Sequence, residues 1–205
     1  MEAVRFIVYS DYLCPWCFNA SVRLARLREA LAGRVEIEWR SFLLRPEPRP
    51  GRDLERFRAY TRSWLRPAAE ADGGTFRVWS SDEGPPTHSV PPHLVAKASA
   101  AVGRDAFERM HERLLRAYFA ENRDISREAT LRELWKELEL PPGEFERSRD
   151  PALLERVRSE HEEALRCGAT GAPAVRLAGN DAVVTGAQPY AVYERWARRA
   201  LGRPL

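Results

Sequence analysis

The chain has 205 residues, with 33 Lys and Arg against 30 Asp and Glu and 44% hydrophobic residues. That length suits one domain, or one domain carrying a large insertion, with ample chain for a core. The slight positive charge is interleaved with negative charge, as in Arg147-Ser148-Arg149-Asp150 and Arg158-Ser159-Glu160-His161-Glu162-Glu163; this reads as solvated helix faces and excludes a concentrated nucleic-acid surface. No apolar run approaches the roughly 20 residues that span a bilayer, and Met1-Glu2-Ala3-Val4 has no basic leader region. The expected location is therefore the cytoplasm, with neither nucleic acid nor membrane as a partner; the oligomeric state has no signature. In a reducing compartment the 3 cysteines are expected to be catalytic, sensing or metal-binding rather than structural.

Residues Ala3 to Tyr9 read as a buried strand and Pro15 to Ala32 as a helix, with Gly33 as its stop. Val35, Ile37 and Trp39 alternate with Glu36, Glu38 and Arg40, so a second strand runs to about Phe42. Strand, helix, strand at this spacing predicts a parallel pair with a right-handed crossover. The stretch Arg45-Pro46-Glu47-Pro48-Arg49-Pro50 breaks the pattern, and a long helical region follows with Leu54, Phe57, Thr61, Trp64 and Leu65 on one face. Gly73 to Pro92 reads as a loop. Helices are expected over about His93 to Val102, Asp105 to Ala120 and Ser126 to Leu138, and Asp150-Pro151 opens another, to about Arg166. Ala174 to Leu177 and Ala182 to Thr185 form a hairpin pattern, and a last helix after Gly186-Ala187-Gln188-Pro189 presents Tyr193, Trp196, Ala197 and Ala200 to the core. The expected organisation is βαβ (residues 1–48), a helical insertion (49–166) and ββα (167–205), an α/β fold built on a four-stranded sheet.

The chemistry-bearing motif is Cys14-Pro15-Trp16-Cys17, at the end of the first strand and the start of the first helix. Disulfide exchange needs one thiol that ionises near neutral pH and a second that resolves the mixed disulfide. A helix N-terminus or a Cys-X-X-Cys setting lowers a cysteine pKa from about 8.5 to roughly 3.5–7.5. Cys14 precedes the helix, where unpaired N–H groups point towards its sulfur, and is assigned as nucleophile. Cys17, one turn on, is assigned as resolver. Pro15 sets the first-turn backbone, and Trp16 projects from the turn to shield the sulfurs or touch substrate. The same spacing is also half a zinc site, but a closed site needs four ligands, and Cys167, His88, His93, His111 and His161 lack ligand spacing. Cys167 is expected to be a small buried hydrophobe.

Cys14-Pro15-Trp16-Cys17 after a first strand, the helical insertion, and Gly168-Ala169-Thr170-Gly171-Ala172-Pro173 before a hairpin resemble the DsbA family of the thioredoxin superfamily. Ser10-Asp11, Leu115-Arg116-Ala117-Tyr118-Phe119, Arg123-Asp124-Ile125 and Thr185-Gly186-Ala187-Gln188-Pro189 are similar to its FrnE-like branch. The resemblance implies a thioredoxin fold with a DsbA-like helical insertion and a cis peptide bond before Pro173, in a loop beside the dithiol. It further implies an Ala172 backbone open to an extended substrate, and substrate contacts at Pro173, His93 and Gln188. Without it, Pro173 reads equally well as the start of an edge strand, and His93 as a helix cap. Where relatives carry Asn, this chain has His88.

The resulting expectation is a thiol–disulfide oxidoreductase, with isomerase activity a variant of the same chemistry, acting on protein or small-molecule thiols and disulfides, glutathione among them. It needs no cofactor beyond its own Cys14–Cys17 pair. The rival is a glutathione-dependent enzyme of the kappa-class transferase or 2-hydroxychromene-2-carboxylate isomerase type, in which a serine typically takes the place of Cys14. A zinc-binding or redox-sensing module is the third reading.

Overall fold

The computed structural model describes residues 3–202. Met1 and Glu2 of the N-terminal segment, and the last three residues of the C-terminal one, lie outside them.

Strand β1 (Val4–Ser10) leads through a short loop into helix α1 (Pro15–Ala30) and strand β2 (Val35–Ser41). Helices α2 (Leu54–Thr61), α3 (Leu65–Ala68), α4 (Val90–Ala100), α5 (Arg104–Phe119), α6 (Glu128–Glu137) and α7 (Pro151–Arg166) come next. The chain closes with β3 (Ala174–Leu177), β4 (Val184–Thr185) and α8 (Tyr190–Ala200). The sheet order is β2-β1-β3-β4. Strands β1 and β2 run parallel, with Val8 opposite Trp39 and Ser10 opposite Ser41, while β3 is antiparallel to both β1 and β4. The two ends of the chain thus meet in one sheet, as the βαβ and ββα patterns predict, and the fold is a DsbA-like thioredoxin fold.

Alternation along β1 divides the core. Phe6 and Val8 pack with Leu24 and Leu27 of α1 and Tyr193 and Ala197 of α8. Ile7 and Tyr9 face Ala164 of α7 on the opposite side. A larger apolar cluster fills the helical region, built on Phe57, Trp64, Trp79, Met110, Leu114 and Phe119, and reaches Tyr12, Leu13 and Phe18 around the start of α1. This contact fixes the helices against the dithiol turn. Gly74 marks how closely they approach: a Cβ there would lie 2.4 Å from the Phe18 ring. Gly74→Ala should therefore cost about 2 kcal/mol by overpacking, read as a lower denaturant midpoint in urea.

Several sequence expectations need correction. The helix after Leu54 does not stay regular: residues Arg62–Trp64 tighten into a 3-10 turn. That turn advances about 120° per residue instead of 100°, so Phe57, Thr61 and Trp64 stay buried while Leu65 is turned out, 61% exposed. Helix α4 begins at Val90, taking Pro91 and Pro92 into its first turn, where the missing N–H groups have no partner to lose. Residues Pro142–Arg149 form a 3-10 segment. Strand β4 is shorter than expected because Asn180 Oδ1 takes the Ala182 N–H at 2.8 Å, curling the hairpin loop. In α8, Tyr193 and Ala197 are buried, but Trp196 is half-buried and Ala200 exposed. Cys167 is half-buried, not buried: it caps α7, where the Tyr9 hydroxyl approaches its sulfur at 3.9 Å.

Candidate active site

The loop between β1 and α1 is shaped by one residue. Asp11 is fully buried. Its Oδ1 accepts from Leu13 N at 2.6 Å, its Oδ2 accepts from Leu44 N at 2.7 Å, and its own carbonyl accepts from Cys14 N at 3.1 Å. It therefore ties the dithiol turn to the chain leaving β2. Burial pushes its carboxyl up to about 6, against the hydrogen bonds that favour the charge. The native state thus holds its proton more tightly than an unfolded chain does, whose Asp titrates near about 3.9. Stability falls as pH rises through the interval between these values, by about 3 kcal/mol in all. Asp11→Asn should abolish that slope, which unfolding free energies measured from pH 3.5 to 7.5 (an interval of about four units) would reveal; an unchanged slope would assign it elsewhere.

Cys14 is the N-cap of α1, and its Sγ accepts from Cys17 N at 3.3 Å. Pro15 occupies the first helical position. Trp16 points outwards, 38% exposed. Cys17 lies one turn inward and is wholly buried, against 4% exposure for Cys14; the Asp11 N–H donates to its sulfur at 3.4 Å. Burial and the neighbouring Cys14 push the Cys17 thiol well up. Neither cysteine is in a disulfide. The bond between Ala172 and Pro173 is cis, and the Cys14 thiol donates to the Ala172 carbonyl at 3.1 Å. The Pro173 carbonyl accepts from Gly186 N at 2.7 Å, which ties this loop to the turn after β4.

Of the residues singled out in the sequence, Cys14, Pro15, Trp16, Cys17, Ala172 and Pro173 come together. His93 and Gln188 are placed differently. His93 is 5% exposed, its ring edge-to-face with Tyr12 at 4.9 Å, so it lies under the dithiol loop rather than on the surface. The Gln188 side chain folds back on Gly186 O at 3.2 Å, while its own carbonyl accepts from the buried Arg23 at 3.0 Å. Arg23 also binds Asp72 and Glu70, joining α1 to the segment after α3. His88 bonds the neighbouring Thr87 hydroxyl. Among the described residues no group of three or more His, Cys, Asp or Glu side chains could hold a metal ion.

Sequence reasoning passed over the layer below the dithiol. Tyr12 OH meets His111 Nδ1 at 3.0 Å, and His111 Nε2 meets Ser21 Oγ at 3.0 Å. Lys97 Nζ and Ser41 N both bind Glu160, at 2.8 and 2.7 Å. The available signal was polar residues at positions whose periodicity points inward: Ser10 continues the Phe6–Val8 face of β1, and Lys97 lies among the buried Val95, Ala96 and Ala98 of α4.

A thioredoxin fold whose first helix is capped by one cysteine of a Cys14–Cys17 pair, with a cis-proline loop against that sulfur, defines a protein built around a dithiol centre. Residues 5–195 match the DSBA-like thioredoxin domain family, and this chain belongs to it. YwbO of Bacillus subtilis (strain 168), described as uncharacterized, is 28% identical over 204 residues, 94% of each chain. A probable DsbA oxidoreductase from Streptomyces coelicolor superposes with a TM-score of 0.74 at 28% identity, covering 98% of this chain and 92% of its own. The cytosolic disulfide reductase DsbM from Pseudomonas aeruginosa shares the fold, with a TM-score of 0.73 at 23% identity over 97% of both chains. Among the described residues no helix is long and apolar enough to cross a membrane.

Proposed function

We propose that the protein exchanges disulfides through Cys14 and Cys17 without a further cofactor. Cys14 attacks the substrate disulfide, one substrate thiolate leaves, and Cys17 then attacks Cys14 to release the second and close the Cys14–Cys17 disulfide. The observation that carries this reading is the placement of the two sulfurs. The outer one caps α1 beside the Ala172–Pro173 loop, and the inner one lies within reach of it and away from solvent. The Ala172 backbone against Cys14, with the part-exposed Trp16 on the same turn as that sulfur, suits an extended disulfide-bearing peptide or a small disulfide.

We propose the reducing direction in a cytoplasmic setting, with glutathione as the thiol that returns the pair to its reduced form. The Pseudomonas DsbM has been solved with GSH, which makes glutathione the first thiol to test. A Cys at position 14, where a kappa-class enzyme typically carries Ser, favours exchange over transferase chemistry. The test is a thiol count after equilibration in glutathione buffers of graded potential. Two of the three thiols should be lost in a single two-electron transition, with Cys167 retained; three thiols at every potential would refute the proposal. A glutathione-dependent reaction persisting in Cys14→Ser would point instead to the transferase reading.

A further inference from the structure

The segment that leaves β2 carries three arginines, Arg45, Arg49 and Arg52, interleaved with prolines. Its course is fixed by the residues before α4. Arg45 N donates to the Oγ of the buried Ser89 at 3.1 Å, and the Arg45 carbonyl accepts from Ser89 N at 2.8 Å. Arg49 N donates to the Thr87 carbonyl at 3.1 Å. The half-buried side chains of Arg45 and Arg52 then converge. Each donates through Nη1 to the Pro86 carbonyl, both at 3.4 Å, so these two nitrogens lie within twice that distance of each other. The Arg52 guanidinium also sits over the Phe57 ring, 4.7 Å from its centroid.

Guanidinium groups stay charged, and two of them held this close repel. Among the described residues none of the three arginines ion-pairs with a carboxylate. Glu55 and Asp82 are taken by Arg58, and Asp53 caps α2 by accepting from Arg56 N at 2.9 Å. Glu47, the remaining acid of the segment, is exposed and pairs with none of them. Two positive forks with only a neutral carbonyl between them are complementary to an anion with two oxygens. The dithiol turn is tied to the same segment. One carboxyl group, that of Asp11, accepts from Leu13 N at 2.6 Å and from Leu44 N at 2.7 Å, and the residues that follow those two are Cys14 and Arg45.

We propose that Arg45 and Arg52 bind a carboxylate of the substrate while Cys14 attacks its sulfur, so that the protein selects small disulfides carrying carboxylates over neutral ones. The inference rests on the exchange reading above and names the substrate class for it. The arginines exchange no electrons. The Cys14 thiolate forms a bond to one substrate sulfur, the substrate S–S bond breaks, and the second sulfur leaves as a thiolate that solvent protonates. Arg45 and Arg52 hold the anionic disulfide for that attack, and the exposed Arg49 adds to the field that draws it in. Attraction of this kind is screened by salt, which separates it from recognition by shape.

The experiment compares two aromatic disulfides that release coloured thiolates: dithiobis(nitrobenzoate), with a carboxylate on each ring, and dithiodipyridine, with none. The rate for each is the release by the reduced protein less that by Cys14→Ser, which removes any contribution from Cys167. The ratio of the carboxylated to the neutral rate should fall about 10-fold in Arg45→Gln/Arg52→Gln at low salt. It should fall less in Arg49→Gln, which leaves both contacts to Pro86 in place. Raising salt from about 0.01 M to about 1 M shortens the screening length from about 30 Å to about 3 Å. This should remove most of the wild-type preference and leave the ratio of the double variant unchanged. A wild-type ratio indifferent to salt, or a double variant that keeps the wild-type ratio, would overturn the proposal. Release from neither disulfide beyond that of Cys14→Ser would instead overturn the exchange reading beneath it.

Discussion

A Cys17→Ser variant should accumulate mixed disulfides through Cys14, and a Cys14→Ser variant should form none. In the folded protein the resolving thiol is delivered by one turn of α1, with Cys17 N only 3.3 Å from the Cys14 sulfur. That proximity turns resolution into an intramolecular step. Removing the thiol leaves release to thiols from solution, and since effective molarities of well-placed groups reach 10⁵ M or more, the mixed disulfide should persist at least about 10³-fold longer. Cys14→Ser removes the group that attacks, and the remaining Cys17 is wholly covered. Non-reducing gels with a disulfide-bearing substrate separate the cases. Equal trapping by the two variants would sink the assignment of roles.

Lys97→Met should destabilise the fold by about 3 kcal/mol, and Lys97→Met/Glu160→Gln should regain most of that loss. Lys97 and Glu160 are 7% and 10% exposed and lie 2.6 Å apart. Glu160 also accepts from Ser41 N at 2.7 Å, at the end of β2 beneath the dithiol loop. Burial opposes the Glu160 charge, yet Lys97 and the Ser41 N–H together hold its carboxyl below the usual range. Removing the lysine strands a buried carboxylate whose only remaining ionic partner among the described residues is the more exposed Arg156. Glutamine in its place is neutral and still offers an oxygen to Ser41 N. The depressed Glu160 adds stability above the ordinary carboxylate pKa, and that contribution is lost as pH falls through its folded-state value. The deficit of Lys97→Met in urea unfolding should therefore shrink on acidification. A double variant as unstable as the single one would show that packing of the lysine stem, not its charge, is what matters.

Most of the fold and half of the site were legible along the chain. The alternation of Val35, Ile37 and Trp39 and the apolar run before Cys14 gave strands because period two is a local property. Asp150-Pro151 gave a helix start because the Asp150 side chain needs only the next turn to cap, and it does accept from Ala152 N at 2.8 Å. Leu65 and Cys167 were misplaced because their exposure depends on a 3-10 turn and on packing against Tyr9, which no local pattern encodes. His93 was noticed for its position in a motif and assigned to substrate, whereas its placement depends on α4 docking under Tyr12.

The sequence alone determined the thioredoxin architecture and the dithiol. Strand periodicity, a proline at the first helical position and two cysteines one helical turn apart are all set within a few residues of one another. Tertiary structure decided what surrounds those sulfurs. Asp11 reaches Leu44, Cys14 meets a carbonyl 158 residues away, and Ser10, Ser41 and His93 converge on one cavity although they are remote in sequence. Such contacts arise only when the sheet brings both ends of the chain together and the helices close over it, because hydrogen bonding and burial act on distance in space and not along the chain.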